Sequence, residues 1–256
     1  MNGGSISDLA FVEEAMRATE AAREQNLVLR AMGATAVRIH CPEFASLHKR
    51  LGRPISDLDF IGLSKQRNRL IKMLEDRGFV MDREARYRMA VVGRCVLQKR
   101  DSSLHADLFF DRLEWNHTLD LRDRLRLDFP TITTSDLLFE KMQIVRINEK
   151  DIKDVIVVFR EHPVGENDND CVNGPYIAKV LADDWGFHYT FTTNLSKVET
   201  LTRKYDQLSA QDREDIASKI ASLRQVIENR PKSLRWRLRA RTGASTKWYR
   251  EVDEFS

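Results

Sequence analysis

The chain has 256 residues, 42% of them apolar and 32% charged, with a formal net charge of +3. That length holds one large domain or two modest ones with a real core, and no run approaches the roughly 20 apolar residues that a membrane helix needs. Cys41, Cys95 and Cys171 are far apart and lack Cys-x-x-Cys spacing, which argues against a zinc site and for free thiols in a reducing cytosol.

Met1 to Ser5 offers neither a basic region nor an apolar core, so no signal peptide is expected and a cytoplasmic location is. Ser7 and Asp8 suit a cap for a helix running to about Glu24, with Leu9, Val12, Ala15 and Met16 on one face. Leu27 to Met32 reads as a short strand, followed by a turn of small residues, Gly33-Ala34-Thr35-Ala36. Small residues at a strand end let the backbone approach a phosphate and present N–H groups to it. A helix-like stretch from Val37 to Leu51 then meets the breaker Gly52-Arg53-Pro54.

The next segment, Ser56-Asp57-Leu58-Asp59-Phe60-Ile61, reads as a buried strand carrying two carboxylates. Residues i and i+2 of a strand share a face about 6–7 Å apart, so Leu58 and Phe60 face a core while Asp57 and Asp59 project from the other side. Like charges so close are costly unless a cation lies between them, and hard oxygen ligands suit Mg²⁺ better than zinc. Asp-x-Asp triplets also occur in solvated turns and on edge strands. The strand, small-residue turn and helix upstream favour a phosphate-plus-metal site instead.

Lys65 to Arg77 reads as a helix stopped by Gly78. Phe79 to Met81, Met89 to Val92, Cys95 to Leu97 and Ala106 to Phe110 are strand-like, so residues 27–111 mix strands and helices as an α/β core does. Asp107 lies within an apolar strand, where a charged residue needs a reason to be present, and is the best candidate for a third metal-binding acid. Asp111 is its rival but resembles strand-end punctuation. His40 and His105 are weaker candidates, since a lone histidine is more often structural.

From Thr134-Ser135-Asp136, a good cap, the chain turns helical over Leu137 to Arg146 and Asp151 to Arg160, with Lys150 and Asp154 spaced as a helix ion pair. Glu161 to Gly174 reads as a loop, and Pro175 to Trp185, Leu195 to Leu208 and Ser209 to Asn229 read as helices. We place a soft boundary near residue 130, separating a core at 1–130 from a helical half at 131–256. Between Arg224 and Arg250 nine Lys/Arg face a single acid, Glu228. With Trp236, Trp248 and Tyr249 among them, these cations suit nucleic-acid backbone binding with some base stacking. The reading we favour for the tail is structural, a helix that buries Trp236 and Leu238 between solvated arginines.

Gly33-Ala34-Thr35-Ala36, Arg53 and Ser56-Asp57-Leu58-Asp59-Phe60 together resemble the signature of the DNA polymerase beta-like nucleotidyltransferase superfamily. The likeness is greatest to its AbiEii-type branch, whose downstream pattern is similar to Lys141, Arg146, Lys150-Asp151 and Asp154. It covers about Leu27 to Arg160 and departs at Ala34, where the family has Gly or Ser. The resemblance implies a small mixed α/β (α+β) sheet followed by a helical carboxy-terminal half. It also implies transfer of an NMP from an NTP to an acceptor, with Mg²⁺ or Mn²⁺ held by Asp57, Asp59 and Asp107. Gly33, Ala34, Thr35, Arg53 and Lys141 are the expected nucleotide contacts, Lys141 as a triphosphate contact and Arg53 either gripping phosphate or bracing the carboxylate strand. RNA is the acceptor that the AbiEii-type likeness implies, reached through the basic tail. A small aminoglycoside-like alcohol as acceptor, and a non-catalytic nucleotide- or RNA-binding module on the same fold, remain alternatives.

Overall fold

The structure, a computed structural model, describes residues 7–81, 94–100 and 102–252. The chain divides into two compact units, the first made of residues 1–42, 54–113 and 120–133, the second of 43–53, 114–119 and 134–256. The strand expected at Met89 to Val92 lies outside the described residues.

The first unit is a five-stranded mixed sheet covered by helices. Helix α1 (Asp8–Glu24) starts at Ser7, whose hydroxyl accepts from the Ala10 N–H. Strand β1 (Leu29–Met32) runs straight into α2 (Gly33–His40). The long helix expected to Leu51 is broken: α2 ends at His40, and α3 (Ala45–Arg50) is a separate six-residue helix in the second unit. Strand β2 (Leu58–Gly62) leads through a short 3₁₀ turn, Ser64–Gln66, to α4 (Arg67–Asp76). Gly78 follows in the left-handed region (φ 90°), as a helix stop requires. Strands β3 (Phe79–Val80), β4 (Cys95–Lys99) and β5 (His105–Phe110) complete a sheet of order β1-β2-β5-β4-β3. Among the described strands of this sheet, β2 and β5 pair in parallel and the other neighbours pair antiparallel.

One face of this sheet carries Leu29, Ala31, Leu58, Phe60, Cys95, Leu97, Ala106, Leu108 and Phe110, packed with Phe11, Ala15 and Ala18 of α1 and with Leu70, Met73 and Leu74 of α4. The pleat therefore sends Arg30, Met32, Asp59, Ile61, Asp107 and Phe109 to the opposite face. Asp111 closes β5 at φ 61°, its carboxylate accepting from the Ser64 N–H (2.9 Å) and hydroxyl (2.5 Å). That is the punctuation expected of it.

β6 (Arg112–Glu114) and β7 (Thr118–Asp120) form a small separate sheet. In the second unit α5 (Thr134–Met142) is buried along its whole length, and α6 (Glu149–Glu161) is capped by Asn148. The segment expected as plain loop contains a parallel pair, β8 (Val164–Gly165) with β9 (Val172–Asn173). Helices α7 (Gly174–Leu181), α8 (Trp185–Lys204), α9 (Ala210–Asn229) and α10 (Leu234–Ala240) follow. Helix α8 begins ten residues before the expected Leu195 because Asp184 caps it, accepting from the Phe187 N–H. Phe139 anchors this unit, its ring meeting those of Tyr176, Phe187 and Phe191 at 5.6, 5.0 and 5.5 Å. Arg160 ties α6 to α9 through Asp212 (2.6 Å) and Asp215 (3.1 Å).

His117 stacks on Phe187 at 4.8 Å and meets the Thr190 hydroxyl at 2.9 Å. Burial lowers its pKa to about 4, and burial does the same to His188. Both folded values lie below the unfolded value, so the stability they contribute is complete above about pH 6.5 and is lost as pH falls towards 4. We expect urea unfolding to show a loss of up to about 1.4 kcal/mol per pH unit from His117 across that window, less from the more exposed His188. His117→Phe, which keeps the ring on Phe187, should flatten the profile. An unchanged profile would remove His117 as its cause.

Candidate active site

Two carboxylates lie side by side on the sheet face opposite the α1 and α4 core, and a third, Asp57, lies near them. In the parallel β2–β5 ladder Asp59 is in register with Asp107, so the two side chains rise from the same face of neighbouring strands about 4.8 Å apart. Asp57 lies one residue before β2 rather than in it, but remains close enough to repel Asp107. Asp57 and Asp59 are half-buried. Asp107 has 13% of its side chain exposed.

The carboxyl of Asp107 titrates above its ordinary range. Burial is the largest cause, the Arg94 guanidinium opposes it, and the negative charge of Asp57 adds to it. Arg94 Nη2 donates to Asp107 Oδ2 at 2.5 Å, with its guanidinium 5.9 Å from the Phe109 ring centre. Sequence reasoning missed Arg94. Its one signal was a lone cation at the head of the apolar strand Cys95-Val96-Leu97.

Gly33 makes the third side of the site. It turns the chain from β1 into α2 in a single residue at φ 67°, and a Cβ placed on it would overlap the Asp59 carboxylate oxygen Oδ2. Asp59 thus lies against the first turn of α2, where the helix dipole favours an anion. The small-residue turn expected at Gly33 to Ala36 is this first helical turn. The side chains of Ala34 and Thr35 are turned inward, Ala34 into the apolar core and the Thr35 hydroxyl to the Asp57 carbonyl at 3.4 Å.

Arg53 and Lys141 belong to the second unit. Arg53 Nη2 donates to Asp154 Oδ2 at 2.8 Å and its Nε to the Lys150 carbonyl at 3.2 Å. Lys141 Nζ lies 3.0 Å from Asp151, 3.4 Å from Glu140 and 3.6 Å from Asp154. Lys141 is buried rather than solvated, and the partners of Asp154 are Arg53 and Lys141, not the expected Lys150. His40 is held by the Thr131 hydroxyl (2.7 Å) and Ile132 carbonyl (2.9 Å), and His105 is exposed.

The basic tail forms α10 and the turns after it. Leu238 is 51% exposed and no residue of α10 is buried, which corrects the picture of a helix buried through Trp236 and Leu238. Arg239 lies 4.7 Å over the Trp185 ring and donates to the Gly243 and Thr246 carbonyls. Arg235, Arg237 and Arg241 are exposed, with no carboxylate partner among the described residues. The three cysteines are buried free thiols. Among the described residues no helix is long and apolar enough to cross a membrane.

We expect Gly33→Ala to destabilise the first unit by about 1–2 kcal/mol from its left-handed backbone alone, with the overlap on Asp59 adding to that. Chemical denaturation measures this, and a variant as stable as the parent would show that the site does not need the glycine. Asp107→Asn should act oppositely. Its ionisation is disfavoured in the fold, so the stability it contributes is lost as pH rises through its raised folded pKa. Removing the charge should leave the protein at least as stable at pH 7. A clear drop in melting temperature would mean that the ion pair with Arg94 outweighs charge repulsion at this position.

No family model matches the chain, and no curated protein does. Among solved structures, an antigenic nucleotidyltransferase-like protein from Paracoccidioides brasiliensis is similar at 10% identity, over 90% of this chain and 97% of that one, with a TM-score of 0.40.

Proposed function

We propose that the first unit is a metal-dependent nucleotidyltransferase core of the DNA polymerase beta-like type, in its AbiEii-type branch, moving an NMP from an NTP to an acceptor. The observation that carries this reading is the register of Asp59 with Asp107 across a parallel strand pair, against the glycine that opens α2. The donor set fits a hard divalent cation: carboxylate oxygens of Asp57, Asp59 and Asp107, one of them disfavoured as an anion by its surroundings. Those three residues would hold Mg²⁺ or Mn²⁺. When bound, the ion supplies charge neutralisation for the triphosphate and the departing pyrophosphate.

Asp107 orients the acceptor hydroxyl and takes its proton. The acceptor oxygen bonds to the α-phosphorus, and the bond from that phosphorus to the oxygen bridging to the β-phosphate breaks. The first-turn backbone of α2 at Gly33 cradles phosphate. Arg53 and Lys141 are tied to carboxylates of their own unit, which leaves the phosphate contacts to that backbone.

RNA is favoured over a small alcohol as acceptor by one observation, the exposed Arg235, Arg237 and Arg241, with no carboxylate partner among the described residues, beside the half-exposed Trp236. Labelled NTPs with Mg²⁺ and acceptor pools test the reaction. The protein should release pyrophosphate, not orthophosphate, and leave an NMP on its acceptor. Asp59→Asn should fold normally and lose several orders of magnitude in rate, since metal-held charge stabilisation supplies several kcal/mol. Absence of pyrophosphate with all four NTPs, several metals and broad acceptor pools would favour a non-catalytic binding module.

A further inference from the structure

At the outer edge of β1 the first unit holds a pocket of about 460 Å³, lined by Arg23, Arg30, Arg126, Phe129 and residues 26–28. Three arginines line it, and no carboxylate does. The two other pockets described, both in the second unit, include acids in their walls.

The arginines are placed by a shared ring. The guanidinium carbons of Arg23 and Arg30 lie 4.7 and 5.2 Å from the Phe129 ring centre. Arg30 is 9% exposed and meets only carbonyl oxygens, Nε to Asp128 at 2.5 Å and Nη1 to Leu29 at 2.7 Å. Its third nitrogen, Nη2, has no acceptor among the described residues. The Asp128 carboxylate feels this charge but is engaged elsewhere, with the Phe129 N–H at 2.6 Å and His40 at 3.6 Å. Arg23 is matched by Glu20 at 2.6 Å. Arg126 is exposed, has no acidic partner among the described residues, and repels Arg30. Two positive charges on the pocket wall are therefore left for an anion to meet.

We infer that this pocket binds a phosphate dianion, free or as the terminal group of a phosphomonoester, through Arg30 and Arg126 with Arg23 alongside. A buried guanidinium with an unused nitrogen supplies the directional N–H donors that phosphate oxygens accept, and Arg126 supplies the second charge. Phe129 carries guanidinium groups, so the ring holds the cations in place and the ligand is recognised by its charge.

Calorimetry of the 256-residue chain in EDTA tests this, because chelation removes metal-dependent phosphate binding at the three aspartates. Inorganic phosphate, pyrophosphate and ribose 5-phosphate are the probes, and their relative affinities distinguish the free anion from the ester. At low ionic strength we expect saturable binding of at least one probe. Asp59→Asn should retain it, so that failure of this site and failure of the transfer reaction are separately visible. Arg126→Glu, on the surface, should weaken binding about tenfold or more, and Arg30→Lys should weaken it comparably by removing the planar fork. No heat from any probe up to about 10 mM, a concentration well above a millimolar Kd, would overturn the proposal. So would binding that Arg126→Glu leaves unchanged.

Discussion

The parallel pairing of β2 with β5, in register at Asp59 and Asp107, sets two carboxylates side by side on one sheet face and so governs everything built around it. Hydrophobic burial alone would not choose that arrangement, because the same register brings Asp57 close enough to oppose ionisation of Asp107. The cost is accepted because the other face of both strands is core. Leu58 and Phe60 on β2, and Ala106 and Leu108 on β5, are completely buried. A one-residue slip would exchange those apolar side chains with the acids. Arg94 and the first turn of α2 then answer the concentrated charge from two sides, one with a guanidinium and the other with backbone dipoles.

The second unit handles charge differently. Asp154 is fully buried and shares its Oδ2 between Arg53 and Lys141, while Lys141 also meets Asp151 and Glu140. Buried charges persist only when paired, and removing one partner strands the rest at a cost of about 3–5 kcal/mol. The cluster joins the neighbouring helices α5 and α6 to the short segment 43–53, far upstream in the chain. These residues form part of the pattern that resembles a nucleotidyltransferase. Their visible work is to hold three segments of one unit together.

The arginines at the edge of β1 show a third treatment. Arg30 points from the same sheet face as Asp59 but curls to the strand edge, where carbonyls rather than carboxylates receive it. Positive charge is thereby kept available in one region of the first unit while negative charge is gathered in another. Such separated fields are costly to the fold and are usually retained for binding.

Local chemistry determined much of this protein from the sequence alone. Ser7 and Ser209 start helices because their hydroxyls cap them, Gly78 ends one because it reaches the left-handed region, and Leu58-Asp59-Phe60 alternates because a half-buried strand must. The same alternation made Asp59 and Asp107 conspicuous as acids inside apolar strands. What tertiary structure decided was every relation between distant segments. The Asp59–Asp107 register has no local signature, and Arg94, though conspicuous at the head of its strand, gives none of its pairing with Asp107, since strand pairing is set by how whole faces pack. The break after His40 did carry a local signal, Pro42, which cannot continue a helix, whereas the burial of Lys141 and the exposure of Leu238 had none. Periodicity reports which residues can share a face, and only the neighbouring elements determine whether that face is covered.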